Sequence, residues 1–223
     1  MPNVTDWVFD LDNTLYPRTC NLFAQIDRLI THYVMDVTKL PFDEARVLQK
    51  TYYRNHGTTL RGLMDTHGID PDHFLSKVHA IDYSPVAAHP ELVAAIRALP
   101  GRKFIFTNAD TGHAPAVLER IGGSDLFDDI FDIRGAAFEP KPLRRPYDAL
   151  LAAHGIDANR AAMFDDLEKN LLVPHEIGMR TVQVVAAEDY AHEQVESWEL
   201  GRSTAAHVHH VTDDLTAFLS ALP

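Results

Sequence analysis

The spacing of apolar residues along this chain of 223 residues changes twice. Trp7-Val8-Phe9 is a short apolar run ending at Asp10, which predicts a buried strand. Beyond Thr14 the period becomes helical. Leu22, Phe23, Ile26, Leu29, Ile30 and Tyr33 fall on one helix face, and Pro41 opens a second helix carrying Phe42, Ala45 and Leu48 to Tyr52. Gly57-Thr58-Thr59 breaks that pattern, and two further helices are expected over Leu60 to His67 and Pro71 to His79, the second capped by Asp70. No strand pattern occurs between about Leu15 and Asp82, so a helical block is inserted after the first strand.

From Pro90 onward helices and strands alternate. Helices are expected over Glu91 to Leu99, Gly112 to Ile121, Pro146 to His154 and Glu168 to Ile177. Strands are expected over Lys103 to Phe106, Ile130 to Ile133, Ala161 to Phe164 and Thr181 to Val185. Continuously apolar strands between helices imply an α/β fold with a parallel sheet covered on both faces. Right-handed crossovers then bring every strand's carboxyl end to one rim, where ligands bind in such folds. At the end of the chain, a helix over Tyr190 to Trp198, a strand over His207 to Val211 and a closing helix over Asp213 to Leu222 are expected.

Composition is that of an ordinary soluble protein, with 46% apolar and 23% charged residues. The formal net charge of −12 disfavours nucleic acid and anionic membranes as partners, though a small anionic substrate remains compatible with local cations or a metal. Cys20 is the single cysteine, so no internal disulfide is expected and a small packing role suits it. The amino terminus has no basic segment followed by an apolar one, and no apolar run reaches membrane-spanning length. A cytoplasmic protein, monomer or homodimer, is the expectation.

Candidate chemistry collects at the predicted strand ends. Asp10, Asp12 and Thr14 follow the first strand, and Thr107 and Asn108 the second. Lys141-Pro142 lies in a loop after the third, and Asp165, Asp166 and Asn170 follow the fourth. Alternate residues of an extended chain point the same way, so Asp10 and Asp12 can face one pocket if they prolong the strand. A calcium loop is excluded, because Leu15 stands where such a loop needs glycine. Asp10 suits a nucleophile that forms an acyl phosphate, and Asp12 suits the acid and base that serve it. Thr107, the Asn108 backbone N–H and the Lys141 ammonium suit a transferring phosphoryl group. Asp166, Asp10 and the Asp12 carbonyl suit Mg²⁺, with Asp165 or Asn170 acting through water behind them. Read singly, Thr107-Asn108 and Asp165-Asp166 are also ordinary helix caps. Their joint occurrence after successive strands favours chemistry.

Asp10-Leu-Asp-Asn-Thr14, Thr107-Asn108, Lys141-Pro142 and Asp165-Asp166, in this order, resemble the motifs of haloacid dehalogenase superfamily phosphohydrolases. The resemblance covers essentially the whole chain. It implies a Rossmann-like three-layer core over residues 1–15 and 84–223, a helical cap over residues 16–83, Mg²⁺ and an aspartyl-phosphate intermediate. It carries over Asp10 as nucleophile, Asp12 as acid/base, Thr107 and Lys141 as phosphate binders and Asp166 as metal ligand, with Asp10 and Asp12 beside it at the metal. Asp12 to Pro17, Tyr52 to Leu60 with Gly62-Leu63, and Phe106 to Ala109 more finely resemble the pyrimidine 5′-nucleotidase branch. That implies a small phosphorylated metabolite, a pyrimidine nucleoside monophosphate, as substrate. Arg54 to Gly57 departs from the tyrosine-like or basic residues expected there. Tyr53 and His56 are candidate contacts to the leaving group, while Tyr52 and Tyr53 are equally candidates for packing inside the cap.

Four other functions compete. A dehalogenase, with Asp10 attacking carbon, has no need of a leaving-group acid or a metal, so Asp12 and Asp166 argue against it. A phosphomutase needs cap cations for a second phosphate. A sugar-phosphate phosphatase shares every motif. A binding module would be expected to lack Asp10 or Lys141. His207, His209 and His210 offer metal-ligand types, but only His207 and His209 share a strand face and no third ligand is indicated.

Overall fold

The computed structural model describes residues 1, 3–110, 112–186 and 201–222. Six strands form one parallel sheet: β1 (Asp6–Phe9), β2 (Arg102–Phe106), β3 (Asp129–Phe131), β4 (Ala161–Asp165), β5 (Arg180–Val184) and β6 (His210–Thr212). Their spatial order is β3-β2-β1-β4-β5-β6. β1 lies at the centre, pairing Phe9 with Ile105 on one side and with Phe164 on the other.

Between β1 and β2 stand α1 (Leu22–Thr38), α2 (Phe42–His56), α3 (Thr59–His67), α4 (Pro71–Val78) and α5 (Pro90–Ala98). α6 (His113–Ile121), α7 (Arg144–His154), α8 (Leu172–Glu176) and α9 (Leu215–Ser220) complete the α/β alternation. Side chains of a strand alternate between faces, and the buried clusters follow that rule. Trp7, Phe9, Ile105, Phe164 and Val182 pack with residues of α5, α6 and α9 on one face. Val8, Phe104, Phe106 and Met163 pack with Tyr147, Leu150 and Val173 on the other. The result is the expected three-layer, Rossmann-like core.

The first four helices share a separate cluster that includes Ile26, Tyr33, Ala45, Tyr52, Leu63 and Phe74, an all-helical cap inserted after β1. Ile133, from the loop after β3, packs into that cluster and ties it to the core. Leu15, Tyr16 and Leu22 pack with the sheet instead. The chain therefore passes from core to insert through a 3-10 turn at Arg18–Cys20, and returns through residues 79–89. Asp70 caps α4 and Asp214 caps α9, each by a side-chain bond to a backbone N–H. Cys20 is a half-buried free thiol against the core cluster.

Several boundaries differ from the sequence expectation, each for a local reason. β3 ends at Phe131, not Ile133, because Asp132 turns to accept the N–H groups of Arg134 and Gly135. The helix expected over Glu168 to Ile177 is a 3-10 turn over Glu168–Leu171 followed by the short α8. Pro174 has no N–H to give and fits only a helix's first turn, so α8 begins just ahead of it. The strand expected from His207 starts at His210, because the Thr181 hydroxyl takes the His209 N–H and donates to the His207 carbonyl. The helix expected over Tyr190 to Trp198 lies outside the described residues. Among the described residues, no helix is long and apolar enough to cross a membrane.

Candidate active site

β1 ends at Phe9, and Asp10 keeps one ladder bond by donating its N–H to the Phe164 carbonyl. The chain then turns. Leu11 O accepts the N–H groups of Thr14 and Leu15, and Asn13 takes a left-handed φ of 60°. Asp12 therefore does not prolong the strand, yet Asp10 and Asp12 line the same cavity of about 190 Å³. Thr107, Asn108, Lys141, Asp166 and Asn170 line it from the core, while Ile26, Gln49, Lys50, Tyr53, Leu60 and Phe74 line it from the helical insert.

Lys141 organises the floor. Its ammonium donates to Asp10 Oδ1 at 2.7 Å, to Asp165 Oδ2 at 2.7 Å and to the Phe106 carbonyl at 2.9 Å. Asn108 fixes the backbone of that lysine, accepting its N–H at 2.8 Å and donating to its carbonyl at 3.3 Å. Thr14 donates to Asp10 Oδ2 at 3.2 Å. Asp165 Oδ1 accepts from the Asn170 amide and the Leu167 N–H, which holds the turn after β4. The Thr107 hydroxyl accepts the Ala109 N–H. α6 is started by Asp110, whose Oδ1 accepts the Gly112 and His113 N–H groups; Thr107 and Asn108 do not cap it.

Carboxylate oxygens of Asp10, Asp165 and Asp166 lie within 4.8 Å of one another, all three buried. Asp10 and Asp165 share the Lys141 ammonium there, and Asp166 pairs with the Arg18 guanidinium. Burial raises the Asp10 pKa well above the ordinary carboxylate value, Lys141 pulls it down, and Asp165, Asp166 and Asp12 push it further up. An extra cation among these oxygens would favour the ionised form. Hard oxygen donors in this number suit Mg²⁺, with water filling the remaining positions. Asp165 thus joins Asp10 and Asp166 in the triad, while the Asp12 side chain turns away from it. Among the described residues this is the one such group of potential ligands; His207 pairs with Glu168 at 2.6 Å and His209 bonds Thr181.

Three neighbours of the site escaped the sequence reading. Arg18, buried in the crossing to the insert, reaches Asp166 Oδ2 at 2.6 Å. The Tyr16 hydroxyl donates to Asp12 Oδ1 at 2.5 Å. His113, fully buried at the start of α6, places Nε2 2.6 Å from the same oxygen. Burial would raise the Asp12 pKa, but the charge and hydrogen bond of His113 outweigh it and hold the carboxyl at about 2. Burial acts to lower His113, but Asp12 outweighs it and raises the imidazole above its usual value. A signal for His113 does exist in the sequence. It occupies the inward stripe that Ala114, Val117, Leu118 and Ile121 continue.

Of the candidate cap contacts, Tyr52 is buried in the insert's cluster. Tyr53 lines the cavity, with the Lys169 ammonium 3.0 Å from its hydroxyl and 4.6 Å from its ring centre. His56 pairs with Asp65 at 3.1 Å and lines a neighbouring depression with Arg54 and Arg61.

Residues 8–178 match the sequence pattern of the haloacid dehalogenase-like hydrolases. Phosphate metabolism protein 8 of Saccharomyces cerevisiae is 26% identical over 202 residues, 83% of this chain and 62% of the yeast protein, so the chain spans under two thirds of that relative. CbbY from Rhodobacter sphaeroides, solved in complex with phosphate, superimposes with a TM-score of 0.64 at 15% identity, over 96% of this chain and 95% of that one. The L-2-haloacid dehalogenase of Xanthobacter autotrophicus superimposes with a TM-score of 0.58 at 14% identity, over 97% of each chain. At such identities the two structures establish likeness of fold. With a family match that runs from within β1 through α8 and takes in every strand-end motif, the chain belongs to the haloacid dehalogenase-like hydrolases.

Proposed function

We propose that this chain hydrolyses phosphomonoesters of a small metabolite through a phosphoryl group carried on Asp10, and that the metabolite is a pyrimidine nucleoside 5′-monophosphate. The observation that carries the hydrolytic reading is the Lys141 ammonium held between Asp10 and Asp165, in the same cavity that Asp12 lines. In the first step Asp10 attacks phosphorus, the bond from phosphorus to the ester oxygen breaks, and Asp12 gives that oxygen its proton. In the second, water attacks the phosphoryl group while Asp12 takes its proton, and the Asp10–phosphorus bond breaks to release inorganic phosphate. His113 holds Asp12 as an anion; a dianionic phosphoryl group brought beside it would add like charge and raise its proton affinity. Lys141, Thr107 and the Asn108 N–H would meet the charge on the transferring oxygens. Mg²⁺, held by Asp10, Asp166 and Asp165 directly or through water, with the Asp12 carbonyl available, supplies charge neutralisation and alignment when bound.

The finer reading rests on the pocket wall and the motif resemblance. Tyr53 and the apolar side chains of the insert provide faces for a ring, and Thr58, Thr59 and Lys50 provide polar contacts. The name of the yeast relative, a phosphate metabolism protein, agrees with the coarser phosphatase reading alone. A phosphate-release screen over nucleoside monophosphates, sugar phosphates and pyridoxal phosphate tests it. UMP and CMP are expected to lead, and Asp10→Asn to abolish turnover in every case. Replacing Tyr53 is expected to change the ranking of substrates more than the rate with an aryl phosphate. A preferred sugar phosphate would end the nucleotidase reading alone. Release from no phosphomonoester would end the phosphatase reading as well.

A further inference from the structure

Asp12 carries an asymmetric set of partners. Among the described residues, both hydrogen bonds to its side chain fall on Oδ1, from the Tyr16 hydroxyl and the His113 ring. Oδ2 receives neither, and the residue lines the cavity. A carboxylate with one oxygen held on the protein side turns its other oxygen toward the pocket.

The side chain that does the holding is itself held. His113 is fully buried, and the Asp110 carboxylate accepts its backbone N–H. Its Nδ1 lies 3.1 Å from the Tyr83 hydroxyl, which donates to the His79 carbonyl at 3.2 Å. The ring of His79 stacks on that of His113, with centres 4.9 Å apart and planes 27° apart. His79 Nδ1 lies 3.0 Å from Asp110 Oδ1. Tyr83 and His79 belong to the segment that returns the chain from the helical insert to the core, and His79 also lines the cavity. The orientation of Asp12 therefore depends, through one imidazole, on the placing of that return segment.

A polar ring on the inward stripe of α6 is costly unless both nitrogens find partners. An apolar residue there would pack as well as its neighbours Ala114 and Val117. The histidine earns its place through what it bonds.

We propose that His113 is the positioning residue for Asp12, holding Oδ1 so that Oδ2 faces the ester oxygen of the substrate, and that Tyr83 and His79 set the imidazole from the returning segment. This role rests on the phosphohydrolase reading above.

The test compares leaving groups. His113→Leu removes the contact, whereas His113→Gln can return an N–H to the position of Nε2. Formation of the phosphorylated enzyme is followed by rapid quench with UMP, a poor leaving group, and with 4-nitrophenyl phosphate, a good one. His113→Leu is expected to slow the first step about 10–100-fold with UMP and at most a few-fold with the aryl phosphate, the usual scale for losing an orienting partner. KM and the Mg²⁺ dissociation constant are expected to stay close to wild type, and His113→Gln to restore much of the loss. Tyr83→Phe leaves a half-buried ring in place and is expected to show the same split at smaller amplitude, so the test stands even if His113→Leu folds poorly. Equal losses with both leaving groups, or a loss carried by KM, would overturn the role of His113 while leaving the phosphatase reading intact. A wild-type enzyme that hydrolyses neither ester would overturn both.

Discussion

The Lys141 ammonium lies 2.7 Å from Asp10 Oδ1, and both side chains are almost wholly buried. The pair joins β1 to the loop after β3, with the second bond of the lysine going to Asp165 at the end of β4. Removing one member of such a pair leaves charge buried without a partner, at a cost of about 3–5 kcal/mol. Lys141→Met is therefore expected to lower the thermal midpoint as well as kcat, the latter by about 10²–10³-fold if the ammonium meets developing phosphoryl charge. Differential scanning calorimetry beside steady-state kinetics checks both. A variant that melts like wild type would show that Asp10 and Asp165 do not depend on this ammonium.

Arg18 and a divalent cation would share one carboxylate. The guanidinium stands 2.6 Å from Asp166 Oδ2, so the two positive charges repel through the low-dielectric site. Arg18→Gln is expected to bind Mg²⁺ several-fold more tightly, as read by isothermal titration calorimetry. Activity is expected to vanish in chelator and to return with Mg²⁺. Ca²⁺ is expected to substitute poorly, because its longer bonds and higher coordination would displace Asp10, the proposed nucleophile, from line. Full activity in chelator would remove the metal from the mechanism.

Asp110 links pH to stability. Burial acts to raise its pKa, but His79, the His113 N–H and Arg134 outweigh that and hold it well below the ordinary carboxylate value. A group depressed in the folded state stabilises the fold above its unfolded pKa, and that contribution is lost as pH falls through the folded value. Asp110→Asn is thus expected to melt below wild type near neutral pH. The gap is expected to close as the pH drops from about 4 toward strongly acidic values. Thermal midpoints of both proteins across that range decide it; a gap constant with pH would mean that charge plays no part.

At Gly62, α3 lies close against Tyr52 of α2. A Cβ built there would stand 2.5 Å from Cβ and Cγ of Tyr52. Both helices are anchored in one cluster, so neither ring nor backbone yields easily. Gly62→Ala is expected to destabilise the fold by about 1–3 kcal/mol, the usual range for overpacking. Denaturant unfolding measures it. A neutral result would mean that α2 and α3 separate at little cost.

Much of the core was legible because each signal was local. The apolar run of β1, the period of α1 and the turn residues after each strand are short-range consequences of backbone geometry. Parallel strands with helical crossovers leave few arrangements, so motifs at successive strand ends had to meet on one rim. Asp10, Thr107, Lys141 and Asp166 line one cavity for that reason. Boundaries were less legible where a side chain competed with the backbone, as at Asp132 and Thr181.

By itself the sequence determined the α/β class, the helical insert after β1, and which acidic and basic residues reach the rim. Periodicity and connection rules act along the chain and need no knowledge of partners. Only the tertiary structure decided that Asp165 joins the carboxylate triad, that Arg18 faces Asp166 and that Tyr53, not Tyr52, faces the cavity. It also decided that a buried imidazole stands behind Asp12, 101 residues away in the chain. Those facts depend on the rotation of each helix about its axis and on how closely distant segments approach. Packing sets both: the apolar stripe of α6 turns His113 inward, but no local pattern names the partner it meets there.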